Sequence, residues 1–137
     1  MVKCIAGLKG SGKTKQLISF VNDAVKDAKG NVVCLEAGQK LTYDIVHEAR
    51  LIDVLTYNVS GYDALYYFIC GIHASNYDVS TIAVDSLNKL VDIKNADKLI
   101  DFFEKVDEFA TIHNVKFTIC ISAEKESLPK EILKYVI

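Results

Sequence analysis

The chain has 137 residues, half of them apolar and a quarter charged, which is a globular balance and excludes a disordered or low-complexity polymer. The formal net charge of -2 removes any global electrostatic pull toward nucleic acid, and Arg50, the only arginine, excludes an arginine cluster for phosphate or RNA. The longest apolar run, "ALYYFICGI" at 64–72, is too short to span a bilayer, which needs about 20 residues.

In chain order, "VKCIA" (2–6) reads as a short buried strand. After a glycine-rich loop, residues 13–29 carry Leu17, Ile18, Val21, Ala24, Val25 and Ala28 at helical spacing, and Gly30 is a stop signal. "NVVCLEA" (31–37) is a second strand. "TYDIVHEA" (42–49) reads as a short helix with Ile45, Val46 and Ala49 on one side, and "RLIDVLTY" (50–57) as a strand. Ser60 followed by Asp63 resembles a cap for a helix over 62–75. "STIAVDS" (80–86) is a strand ending on an acid. Residues 95–114 form the strongest helix, with Leu99, Phe102, Phe103, Val106, Phe109 and Ala110 on one stripe. "VKFTICISA" (115–123) is a last buried strand, and "PKEILKYVI" (129–137) a terminal helix opened by Pro129.

Strands alternate with helices, and the strands are continuous apolar runs. This predicts an α/β fold: a three-layer parallel sheet of about five strands with helices on both faces. The length and the single proline predict one domain over 1–137. Cys4, Cys34, Cys70 and Cys120 form no C-x-x-C pair and read as reduced core thiols. "MVKCIAG" shows no apolar leader, so a cytoplasmic location is expected.

Gly7, Gly12, Lys13 and Thr14 satisfy G-x-x-x-x-G-K-[ST] in "GLKGSGKT". Each residue type has a physical role there. Glycines let backbone N–H groups approach phosphate oxygens, Lys13 reaches the β- and γ-phosphates, and the Thr14 hydroxyl ligates Mg²⁺. The helix that follows points its N-terminal dipole at the anion. The predicted strand before the loop and helix after it are the context this motif requires. On these residues the chain resembles the P-loop NTPase superfamily, with a Walker A motif. The cradle implied is Gly7, Leu8, Lys9, Gly10, Ser11, Gly12, Lys13 and Thr14, with Lys9 and Ser11 at variable positions.

Such proteins place a Mg²⁺-side carboxylate at the end of an apolar strand. Asp85, after Ile82, Ala83 and Val84, matches that Walker B place. "VDSL" resembles the RecA-like branch, where the strand ends in Asp-Ser. That resemblance puts the water-activating glutamate just past the second strand, where Glu36 is the best match. It also makes Ser122 a candidate γ-phosphate sensor, by position. Thr118 reads as core.

Other signatures fail. There is no N-K-x-D, since "LNKLVD" has one residue too many, so GTPase signatures are not met; ATP is favoured over GTP, with no base-contact signature to fix the choice. A kinase lid needs arginines, and the chain is too short for the DNA-binding and polymerisation segments of RecA itself. Arg50 is the sole candidate for a finger reaching into a neighbouring subunit. His47, His73 and His113 show no ligand spacing. Tyr62, Tyr66, Tyr67 and Phe68 offer base stacking, against a core reading beside Leu65, Ile69 and Ile72.

The resemblance implies ATP and Mg²⁺ as cofactors and a small cytoplasmic ATP-binding protein with slow Mg-dependent hydrolysis. Lys13 and Glu36 are then the catalytic pair, and Thr14 and Asp85 the metal ligands. The alternative is a regulatory or interaction module that binds nucleotide without turnover; a small-molecule kinase ranks third. A protein partner is expected and homo-oligomerisation is left open, with no nucleic acid and no membrane span.

Overall fold

A computed structural model describes residues 1–27 and 30–137. Five apolar segments form strands: β1 (Val2–Gly7), β2 (Asn31–Glu36), β3 (Arg50–Asp53), β4 (Val79–Val84) and β5 (Lys116–Ser122). They make one sheet in the order β1-β5-β4-β2-β3, and every strand pair is parallel. The helices are α1 (Lys13–Asp27), α2 (Tyr62–Ser75), α3 (Ala96–His113) and α4 (Lys130–Leu133).

Strand side chains alternate between two cores. Val33, Leu35, Ile82, Val84, Phe117, Ile119 and Ile121 lie under α2 and α3, against Leu65, Ile69, Phe102 and Phe103. Val32, Cys34, Ala83 and Cys120 face the other way, toward Leu17 and Val21 of α1. Three of those four are small, so α1 can pack closely on the centre of the sheet. Cys4, Cys34 and Cys120 are buried free thiols. Helices therefore cover both faces, as the continuous apolar strands require.

α3 spans nearly the whole expected segment, with all six stripe residues buried. The Asn95 side chain accepts from Lys98 N–H at its start, and Asn114 ends it in the left-handed region. α2 matches its expected span, but Ser60 does not cap it. Gly61 holds the cap position, and its N–H donates to the Leu90 carbonyl at 2.8 Å. The last two positions of the first expected helix, 28 and 29, lie outside the described residues.

Three segments depart from expectation. Residues 42–49 form turns rather than a helix. The Asn22 side chain of α1 donates to Asp44 O and accepts from Val46 N–H, each at 3.0 Å, so it takes the place of a helical ladder. Leu41, Ile45 and Ala49 are still buried against α1. The strand expected over 50–57 ends at Asp53, whose carboxylate accepts from Leu55 N–H and starts a single 3₁₀ turn, Val54–Tyr57. The terminal helix is only one turn. Beyond it, Cys4 N–H donates to Tyr135 O at 2.7 Å and Ile137 N–H to Cys4 O at 3.0 Å, so the tail covers the outer edge of β1.

Candidate functional site

Because all strands run the same way, their C-terminal ends share one edge of the sheet. The glycine-rich loop connects β1 to the start of α1 at that edge. Gly10 and Gly12 have φ of 86° and 88°, a region that penalises any Cβ. A Cβ on Gly7 would collide with the Ser11 hydroxyl, so the loop folds tightly on its own first residue. Thr14 is exposed in the first turn of α1.

Lys13 is buried, and its ammonium donates to the loop's own Leu8 carbonyl at 2.9 Å. The ion pairs among the described residues are His47–Glu48 and Asp101–Lys105, so no carboxylate pairs with Lys13. A buried cation with one neutral acceptor is electrostatically under-compensated, and suited to an anion.

Asp85 follows β4 directly and is buried; its N–H donates to Leu35 O of β2 at 2.8 Å. Ser86 then adopts a left-handed φ of 55°, costly for a residue with a Cβ by about 1–2 kcal/mol. Its hydroxyl lies 3.4 Å from Asp85 Oδ1. The turn Leu87–Lys89 follows, and Asn88 Oδ1 accepts from Ser122 N–H at 3.0 Å, tying β5 to β4. Ser122 pairs in register with Gly7 and so sits beside the start of the loop.

Glu36 ends β2. Leu35 pairs with Val84, and Glu36 with Asp53, so three acids stand on adjacent strand ends. Glu36 is only 2% exposed. Its Oε1 accepts from Lys40 N–H at 2.9 Å and Leu41 N–H at 3.3 Å, while buried Oε2 has no partner among the described residues. Burial raises its pKa, the two N–H donors oppose this, and Asp85 and Asp53 raise it further. Asp53 Oδ1 in turn accepts from Gly38 N–H at 2.9 Å. The Cys120 thiol, beneath the site, is pushed up to about 12 by burial and then by Asp85. It is not a nucleophile.

The structure thus brings the loop, Glu36, Asp85 and Ser122 to one edge. It takes Arg50 away: that residue starts β3 and lies at the opposite end of the strand from Asp53, beside a cleft of about 400 Å³ with Ile52, Tyr57 and Phe68. Tyr62 packs on Phe102 and Tyr66 on Phe109, both of α3, as core residues would. His73 and His113 do meet, with ring centroids 4.4 Å apart, but they do so between α2 and α3. Asn88, whose side chain holds Ser122, and the Lys40 N–H, which holds Glu36, were not legible; the first depends on β4 lying beside β5, which only the topology reveals.

No three His, Cys, Asp or Glu side chains gather as a metal cluster among the described residues. The Thr14 hydroxyl and the Asp85 carboxylate are hard oxygen donors, the kind of group that Mg²⁺ takes.

A five-strand parallel sheet, covered on both faces and opened by a strand, a glycine-rich loop and a helix, is the P-loop NTPase fold. Within that class, the chain is similar to the crystal structure of domain III from the Thermotoga maritima replication initiation protein DnaA. The TM-score is 0.52 at 19% sequence identity, covering 97% of this chain and 50% of that chain. This chain therefore spans half the length of its structural relative, and the likeness is one of fold. No family model and no curated protein matches the sequence.

Proposed function

We propose that residues 1–137 form one nucleotide-binding domain that holds Mg-ATP at the strand edge and hydrolyses it slowly, on a minimal RecA-like core. The observation that carries this reading is buried Lys13, held over its own loop without a carboxylate partner, at the same edge as Asp85 and Glu36. In this reading the backbone N–H groups of residues 10–14 and Lys13 hold the phosphates. Thr14 and Asp85 hold Mg²⁺, which neutralises charge on the phosphates when bound. Glu36 is the base. Its Oε1 is fixed by two N–H donors, which leaves Oε2 to orient and deprotonate a water. Ser122 is the γ-phosphate sensor.

A second reading, a nucleotide-dependent regulatory module without turnover, rests on the same residue. Burial and the neighbouring acids raise its pKa, which disfavours the ionised form that a base needs. ATP is favoured over GTP, the location proposed is cytoplasmic, and the output passes through a protein partner or a second copy. No helix among the described residues is long and apolar enough to cross a membrane.

Phosphate release from Mg-ATP by wild type and Glu36→Gln separates the two readings. Slow release in wild type, reduced on the order of a hundredfold in the variant, supports hydrolysis. Equal release in both removes Glu36 as the base.

A further inference from the structure

Helix α2 has 14 residues, whereas β3, the outer strand of the sheet on that side, has 4. So short a strand leaves part of the helix uncovered. Phe68, Gly71, Ile72 and Ser75 follow one another at i, i+3, i+4 and i+7 and so share one face of α2. They line one side of the cleft of about 400 Å³, and Val33, Arg50 and Ile52 line the other. Arg50 and Ile52 are two apart on β3, and Ile52 packs on the core under α2, so both leave the sheet on that face.

Gly71 keeps the cleft open. A Cβ built there meets nothing within 4 Å, so this helical position has room for a side chain that the sequence does not supply. Glycine is also a poor helix former at such a position. The wall beside it is fixed in place. Asp53 caps the turn Val54–Tyr57, and Tyr57 sets its ring against Phe68 with centroids 5.7 Å apart. Tyr57 and Tyr67 still stand 59% and 67% exposed around the cleft. Aromatic surface exposed around a concave apolar space is what a small ligand covers.

The cleft is selective for charge. Arg50 is its one cationic side chain, no carboxylate lines it, and Arg50 joins no ion pair among the described residues. A planar guanidinium matches a carboxylate through two parallel N–H···O bonds. A phosphate dianion would leave a second negative charge against apolar walls, which is costly.

We propose that this cleft binds a small carboxylic acid with a ring-sized apolar body. The carboxylate takes the Arg50 guanidinium, and the body lies over Ile52 in the space beside Gly71, against Phe68. The site lies at the other end of β3 from Asp53, and it stands independently of the nucleotide reading.

The test is calorimetric titration of the full chain with benzoate and 2-naphthoate, and with their uncharged amides, in wild type, Arg50→Gln and Gly71→Leu. Leucine at 71 fills the cleft and raises helix propensity, so a thermal transition no lower than that of wild type shows that this variant folds. Arg50→Gln alters an exposed side chain and tests the charge separately. At least one acid should bind wild type saturably, on the order of tenfold tighter than its amide, and Arg50→Gln should remove that difference. Gly71→Leu should abolish binding of acid and amide alike. Saturating Mg-ATP should leave the affinity for the acid unchanged. The proposal is overturned by no saturable binding of either acid, by equal binding of acid and amide, by unchanged binding in Gly71→Leu, or by displacement with Mg-ATP.

Discussion

Glu36 is where residue chemistry is most sharply constrained. Burial holds its carboxyl above the ordinary 4.5, so the native chain keeps a proton that the unfolded chain releases. Native stability from this group is therefore fully present below the unfolded value and falls as pH rises through the native one. Glu36→Gln cannot ionise. Its stability should match wild type below the unfolded value and exceed it as pH rises through the native one, levelling off above, as read by urea unfolding at a series of pH values. A difference that does not vary with pH would contradict the burial argument. Asp85 makes a separate prediction. Asp85→Asn should weaken Mg-ATP binding by on the order of tenfold while leaving metal-free ATP binding nearly unchanged, measured by titration with and without Mg²⁺. The three buried cysteines offer a third check. Burial pushes the Cys4 and Cys120 thiols up to about 12 and raises Cys34 too, so all three should resist a thiol reagent at neutral pH until the chain unfolds.

At the scale of elements, α1 links core to site. Its buried Leu17 and Val21 press on Cys34, Ala83 and Cys120, and its first turn presents Lys13 and Thr14. Leu17→Ala should cost about 2–5 kcal/mol, read by denaturant unfolding, and loosen the loop with it. A loss under 1 kcal/mol would mean that α1 does not depend on this contact, by the scale of core truncations (~2–5 kcal/mol). How legible an element was depended on how local its cause is. α3 could be placed closely because its stripe and its two asparagine caps lie in its own sequence. Residues 42–49 could not, because what replaces their helical ladder is the side chain of Asn22, twenty residues or more upstream. The tail was misjudged for the same reason: its partner is Cys4, at the far end of the chain.

For the whole molecule, parallel pairing is what makes a site. It gathers all five strand ends at one edge and leaves Arg50 at the other end of β3. The fold class was readable from continuous apolar strands alternating with helices. The loop and Asp85 were readable because each sits beside its own strand. The tie from Asn88 to Ser122 was not, because nothing local says that β4 lies beside β5. The central claim is that this edge holds nucleotide phosphates. It is tested most directly by titrating a fluorescent ATP analogue, with Mg²⁺, into wild type and Lys13→Ala, with unlabelled ATP and GTP as competitors. Saturable binding that ATP displaces, weakened in Lys13→Ala by on the order of a hundredfold, is the predicted result. Equal binding by both proteins, or none by wild type, would contradict it.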